Sequence, residues 1–246
     1  MRDDSAHLND KQATGGTSVI DELLARFSDP KAVAQYADGP PRFVPGFADL
    51  HRMTAVLLAE RCSANARVLV LGAGGGLELK AFAEEQPGWT FDGVDPAPAM
   101  LDLASRTLGP LAARVQLHKG TIDNAPDGPF DAATCLLTLH FLAREERRRT
   151  AAEVRRRLKP GAAFVAAHSS FPQDEGERRR WLSRYAAFAI ASGADPEMAE
   201  NARAAVEAHL SLLAPDDDAA VLREAGFSEV TLFYAAFTWR GWVAYA

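Results

Sequence analysis

The sequence predicts an α/β protein with a doubly wound, mainly parallel sheet that ends in an antiparallel pair of strands. Between residues 66 and 170, short apolar runs alternate with stretches that carry apolar residues at helical spacing. Repeated alternation of this kind implies parallel strands joined by right-handed helical crossovers. Near the end of the chain, a tight connection at residues 234–237 joins two strand-like runs, which makes that pair antiparallel.

A helical preface is expected before the sheet. Residues 1–17 are polar and are predicted to be a disordered tail, and residues 18–64 are predicted to form a preface that serves as a lid. One domain, 18–246, is expected because 246 residues with 48% apolar side chains suffice for one large core. The helices predicted within the preface are 19–27, 30–37 and 47–62.

The alternating region contains the predicted parallel strands and the helices between them. Several of these strands are too apolar to face water, so helices should cover both faces of the sheet. The strands are predicted at residues 67–72, 90–95, 114–120, 130–139 and 162–169, and the helices at 77–86, 97–108 and 143–158.

A helix-rich insert, 174–213, is predicted to separate the fifth strand from the last two. After the insert, a short helix at residues 216–227 leads to two strands within 229–246. Ligands of open α/β sheets bind beyond the carboxyl ends of the strands, near the point where the strand order reverses. The preface and the insert are therefore the predicted lids of a ligand site.

Composition and charge disfavour several classes of function. The net charge of −6 opposes broad binding to nucleic acid, and the arginines of residues 144–157 alternate with glutamates, as on a salt-bridged helix surface. Cys62 and Cys135 fit neither a disulfide framework nor a metal site, so we expect a cytoplasmic protein without a bound metal. No apolar run has the length of a membrane span, so we expect no membrane association.

A glycine-rich turn follows the first strand in "VLVLGAGGG", residues 68–76. A dinucleotide-binding turn, G-x-G-x-x-G, would place its last glycine at Leu77, so a nicotinamide-dependent dehydrogenase is disfavoured. Asp95 ends the second strand about 20 residues later, where an acidic side chain binds ribose hydroxyls. A tight turn without a ligand, and an Asp95 that only caps the next helix, are the alternatives. The turn and the acid together favour a bound nucleoside.

These motifs, with "KGTID" (119–123), "FDAATCLLTLHFL" (130–142) and "VRRRLKPGAAFV" (154–165), resemble the class I S-adenosylmethionine-dependent methyltransferases. The resemblance implies a Rossmann-like, seven-stranded sheet with an antiparallel last strand, and S-adenosylmethionine as the cofactor. It places the glycines beside the methionine moiety, Asp95 on the ribose, and Met100, Thr121 and Ile122 around adenine. Tyr36 and Arg42 are expected to cross the cofactor from the preface. The cofactor-binding residues expected are Gly72, Ala73, Gly74, Gly76, Asp95, Pro96, Met100, Thr121, Ile122, Leu136, Tyr36 and Arg42.

A narrower resemblance extends outside this core. The segments 42–53, 95–100, 137–142 and 222–246 are similar to the carboxy-S-adenosylmethionine synthase branch, which uses prephenate to make a carboxylated sulfonium for tRNA modification. That branch has Asp at the positions of Val70 and Thr121, Ser at Gly74 and Asn at Leu136. Its carboxylate-binding arginine lies in the insert, where this chain offers Arg203. Glu78 is a further acid that could replace the lost charge, or face solvent.

Methyl transfer from a sulfonium is an in-line displacement, so alignment and exclusion of water supply most of the acceleration. His140 and His168, at the ends of two strands, are the expected catalytic bases, with a packing role as the alternative for each. The substrate contacts expected are His140, Arg203 and Tyr234.

We therefore expect an S-adenosylmethionine-dependent methyltransferase that acts on a small organic molecule. A carboxy-S-adenosylmethionine synthase-like enzyme and a non-catalytic S-adenosylmethionine-binding protein are the alternatives. A small-molecule acceptor is the expected partner, and the sequence does not decide whether the protein forms a homodimer. The acceptor and the modified atom do not follow from the sequence.

Overall fold

The computed structural model describes Phe27, Val33 and residues 36–246 of the chain. The tail predicted at 1–17 lies outside these described residues, as does most of the preface before Tyr36. The preface continues with a short helix, α1 (Gly39–Phe43), and a longer one, α2 (Phe47–Ala59). Within the described residues, no helix combines the length and apolarity that crossing a membrane requires.

Seven strands form one sheet in the order β3-β2-β1-β4-β5-β7-β6. The first five strands are mutually parallel, and β7 runs antiparallel to both of its neighbours, which confirms the predicted sheet. The order reverses between β1 and β4, so the switch point lies where β1 ends. The strands are β1 (Arg67–Leu71), β2 (Thr90–Asp95), β3 (Val115–Lys119), β4 (Phe130–Leu136), β5 (Leu158–Ser169), β6 (Ser228–Ala236) and β7 (Trp239–Tyr245).

Helices cover both faces of this sheet. Alternate side chains of β1 enter different cores: Val68 and Val70 pack toward α2, whereas Leu69 and Leu71 pack toward Val154 on the opposite face. An apolar β1 is therefore the expected result of burial on both sides. The remaining helices are α3 (Leu77–Glu85), α4 (Pro98–Leu108), α5 (Arg144–Arg157), α6 (Glu175–Ala191), α7 (Pro196–His209) and α8 (Pro215–Glu224).

The predicted insert consists of α6 and α7. Each helix begins after an aspartate whose side chain accepts hydrogen bonds from the first turn: Asp174 from the Glu177 amide, and Asp195 from the amides of Glu197 and Met198. These two caps explain why α6 begins after Asp174 and why a second helix, α7, begins after Asp195.

Several element boundaries differ from the prediction, among them those of β4, β5 and the connection between β6 and β7. β4 ends at Leu136 because Leu137 has a φ of 56°, which is incompatible with an extended strand. β5 begins at Leu158, which pairs with Phe130 before an irregularity in the ladder. β6 and β7 are joined by Phe237, with a φ of 49°, and Thr238.

Candidate functional site

The glycine turn lies at the switch point and is bonded to the end of β2. The amides of Gly72 and Ala73 both donate to the Val94 carbonyl, at 2.8 and 3.0 Å. A Cβ on Gly72 would lie 2.1 Å from Thr138 Oγ1, and one on Gly76 would lie 2.8 Å from the Ala104 Cα. Close packing against the β4 loop and α4 therefore requires glycine at these two positions.

Asp95 connects the glycine turn to the start of α4. One carboxylate oxygen accepts the Gly74 amide at 2.9 Å and the other accepts the Ala97 amide at 2.9 Å. Burial raises the pKa of this carboxyl, and the two amide hydrogen bonds oppose that rise. Each carboxylate oxygen has a second lone pair, so the group retains acceptor capacity for ribose hydroxyls.

Tyr36 covers the glycine turn from the preface. A Cβ on Gly75 would lie 2.8 Å from the Tyr36 Cδ1, and one on Gly74 would lie 3.0 Å from its hydroxyl oxygen. The pKa of Tyr36 is raised to about 12 by burial and by the negative charges of Asp95 and Glu78. The phenol is thus near two carboxylates above the turn. Arg42 lies half-buried in the last turn of α1.

The residues expected around adenine lie in different surroundings. Met100 is buried and packs in one cluster with Val33, Tyr36 and Phe27. Ile122 is buried in a different cluster, within the core on the α5 side of the sheet. Thr121 is exposed and caps the 3-10 turn Ile122–Asn124, while the preceding amide, of Gly120, donates to the Asp95 carbonyl at 3.0 Å.

Two other expected cofactor residues flank this region. Pro96 is half-buried directly after Asp95, before the start of α4. Leu136 is buried at the end of β4, in the same cluster as Val70 and Ala73.

His140 lies in the turn after β4, and its geometry does not fit the base that the sequence predicted. Its Nδ1 accepts a hydrogen bond from the Ser169 amide at 3.1 Å. A neutral imidazole whose Nδ1 accepts carries its proton on Nε2, so His140 is a hydrogen-bond donor at that atom. Its pKa lies well below 6.5 because the ring is buried and because charges on His168 and Arg147 oppose protonation.

His168 lies near the carboxyl end of β5, but its side chain is buried, so the role of catalytic base stays a prediction that its surroundings disfavour. Its side chain is 1% exposed, and its Nε2 lies 3.1 Å from a carboxylate oxygen of Asp218 in α8. Arg147 pairs with the same carboxylate and also donates to the Leu142 and Ser211 carbonyls. His168 thus belongs to a buried charge cluster, consisting of Arg147, His168 and Asp218, that joins α5, β5 and α8.

Arg203 was expected to contact the substrate, but its guanidinium is directed toward two acids of its own helix instead. Its guanidinium pairs with Glu200 at 2.9 Å and with Glu207 at 2.8 Å, on the same helix. The side of α7 that packs inward carries Ala199, Ala202 and Val206 instead. The insert therefore presents an apolar surface to the core.

Tyr234 and Trp239 attach the preface to the last two strands. The Tyr234 hydroxyl donates to the Pro45 carbonyl, and the Trp239 indole donates to the Phe43 carbonyl at 2.9 Å. The Phe43 ring also packs 5.3 Å from the Tyr185 ring of α6. Tyr234 therefore holds the preface against the last two strands, and a contact between Tyr234 and substrate stays a prediction.

Glu78 is the residue whose position the sequence left most open. It is 6% exposed in the first turn of α3, and its Oε1 accepts a hydrogen bond from the Thr134 hydroxyl of β4. The solvent-facing alternative is therefore wrong. Its four-residue spacing from Phe82, also buried on α3, was the signal in the sequence. Among the described residues, no group of side chains is arranged to hold a metal ion.

Known proteins resemble the chain in sequence and in fold. Residues 68–161 match the family model described as a methyltransferase domain. A carboxy-S-adenosyl-L-methionine synthase from Chromohalobacter salexigens is 30% identical to the chain, with coverage of 91% of the chain and 85% of the relative. The protein of the same name from Actinobacillus succinogenes is 26% identical, with coverage of 91% and 95%.

Solved structures share the fold at lower identity. An O-methyltransferase family protein from Burkholderia thailandensis has a TM-score of 0.63 and 17% identity, over 93% of this chain and 63% of that one. Human N-acetylserotonin methyltransferase in complex with SAM has a TM-score of 0.56 and 16% identity, over 89% and 59%. The chain thus spans about three fifths of the length of these two structures.

Proposed function

The chain belongs to the S-adenosylmethionine-dependent methyltransferase family, and from that premise we propose that it transfers a methyl group to a small organic molecule. Asp95 is the observation that carries the proposal. Its carboxylate lies at the switch point, is fixed by amides from both neighbouring turns, and keeps free acceptor sites. A nucleoside with two ribose hydroxyls supplies the matching donors.

The bound cofactor would supply a methyl group, whose bond to the positively charged sulfur would break in line as the bond to the acceptor forms. The acceptor would bind as an anion that has already lost its proton to solvent. The glycine turn and Tyr36 would hold the methionine end, and Asp95 would fix the ribose. The apolar side of α7, with Phe43 and Trp239, would keep water away from the acceptor. His140 would donate a hydrogen bond from Nε2 to an oxygen of the acceptor.

The apolar surface of the insert favours a methyl group over a carboxylated one. A carboxylate on the transferred carbon needs a cationic partner, because a buried unpaired charge is costly. Both acidic partners of Arg203 already lie on its own helix, so this guanidinium is not free for such a role. The lid helix α7 therefore supports the methyl reaction.

A carboxy-S-adenosylmethionine synthase activity is the second candidate, supported by the names of the curated relatives. Arg42 would be the required cation. It lies half-buried in α1, and no ion pair joins it to another of the described residues. A protein that binds S-adenosylmethionine without catalysis is the third candidate.

Product analysis by mass spectrometry separates these functions. We expect S-adenosylhomocysteine together with a methylated product when the protein is incubated with S-adenosylmethionine and a panel of small phenols, carboxylic acids and amines. A carboxylated sulfonium formed with prephenate, lost in Arg42→Ala and retained in Arg203→Ala, would replace this proposal with the second candidate. Tight binding without any product would favour the non-catalytic candidate.

A further inference from the structure

Glu78 is a buried acid without a cationic partner among the residues that the structure describes. It accepts a hydrogen bond from the neutral Thr134 hydroxyl. Glu84, on the same helix, is exposed and pairs with Lys80. A buried carboxylate is costly unless a positive charge compensates it, and removal from water favours its neutral form.

The groups around Glu78 come from two other elements. Tyr36, from the preface, and Cys135, from β4, are each affected by its charge, and Thr134 is bonded to it. Tyr36 also lies near Asp95, which adds a second negative charge to this region. None of these described neighbours is a cation. Burial raises the pKa of Glu78 to about 8, and the Thr134 hydroxyl opposes that rise only in part.

Position connects this acid with the proposed cofactor site. Glu78 follows Gly76 in the first turn of α3, and its charge acts on Tyr36, the side chain that covers the glycine turn. S-adenosylmethionine carries two positive charges, a sulfonium and an ammonium. We infer that the Glu78 carboxylate is the counter-charge for one of these two cationic groups when the cofactor is bound. This inference rests on the proposed function, and it assigns to Glu78 a positioning role in cofactor binding.

Proton release on binding follows from this arrangement. The free protein holds a proton on Glu78 at pH 7, because the carboxyl titrates with a pKa of about 8. A cation beside the carboxylate lowers its pKa, so the proton leaves to solvent when the ligand binds. Affinity should therefore rise with pH from about 6 to 8 and level off above the pKa of the free protein.

Isothermal titration calorimetry in buffers of different ionisation enthalpy measures this proton directly. At pH 7 we expect the wild type to release up to about one more proton per bound S-adenosylmethionine than Glu78→Gln. Above pH 8 the variant should bind about 10-fold or more weakly. Glu84→Gln is the matched control on the same helix and should behave as the wild type. Thr134→Val should move the release to higher pH, since the hydroxyl that stabilises the carboxylate is lost.

S-adenosylhomocysteine distinguishes the two cationic groups. Release that persists with this ligand assigns Glu78 to the ammonium, and release lost with it assigns Glu78 to the sulfonium. Equal proton release by the wild type and by a folded Glu78→Gln, with a wild-type profile in Thr134→Val, would overturn the inference. Failure of the wild type to bind S-adenosylmethionine at all would instead contradict the proposed function.

Discussion

The Ser169 amide donates to Nδ1 of His140 across 3.1 Å, and this bond decides which ring nitrogen carries the proton. Because Nδ1 is an acceptor, neutral His140 presents an N–H group at Nε2. Protonation would place a second hydrogen against the Ser169 amide, in agreement with a pKa well below 6.5. A donor of this kind stabilises negative charge on an acceptor oxygen but takes no proton from it.

Substitutions of His140 test this donor role. Glutamine places an amide nitrogen near the position of Nε2, whereas asparagine places its amide near Nδ1. We expect His140→Gln to retain kcat within about 10-fold and His140→Asn to lose about 100-fold, the usual effect of removing one donor. The measurement is kcat against pH from 6 to 9. A wild-type acidic limb near pH 6.5 that disappears in His140→Gln would show instead that His140 acts as a base.

Breaking the buried charge cluster should destabilise the protein. Arg147→Met leaves the Asp218 carboxylate buried beside His168 with no guanidinium, and we expect a loss of about 3–5 kcal/mol in the free energy of unfolding. Arg144→Met on the same helix is the control, because the Arg144–Glu224 pair is 45% and 42% exposed. Removal of this exposed pair should leave the free energy of unfolding close to that of the wild type. Urea unfolding of both variants measures the difference, and equal losses would contradict the structural role.

Gly76 should be sensitive to substitution for two separate reasons. Its φ is 79°, and a Cβ would lie 2.8 Å from the Ala104 Cα. Gly193 is the matched control because its φ is 87° and a Cβ added there would meet no atom within 4 Å. Gly193→Ala should cost about 1 kcal/mol from backbone strain alone. Gly76→Ala should lower the free energy of unfolding by about 2 kcal/mol or more, measured by urea unfolding. It should also weaken S-adenosylmethionine binding, measured by calorimetry. Similar behaviour of both variants would refute this account.

The sheet was predictable because its signals are local. Apolar runs alternate with helical spacing along the chain, and this alternation is enough to specify parallel strands and crossovers. The position of Asp95 at the end of β2 was also predictable, because the end of a strand is visible in the sequence. Its contact with a ribose stays a prediction.

The histidines were not predictable in the same way, because their surroundings come from distant segments. His168 ends a strand, but Asp218, on a helix some 50 residues later, decides that it lies inside a charge cluster. Arg203 illustrates the opposite case. Glu200 and Glu207 lie three and four residues from it, and this spacing on one helix already favoured pairing at the surface.

Calorimetric titration with S-adenosylmethionine and S-adenosylhomocysteine tests the central claim most directly. The wild type and Asp102→Ala, an exposed change on α4, should bind both ligands with a dissociation constant on the order of micromolar. Asp95→Ala should lose binding by about 100-fold or more, because the ribose acceptor and the anchor of the glycine turn are removed together. No binding to the wild type, or undiminished binding to a folded Asp95→Ala, would contradict a cofactor site at the switch point.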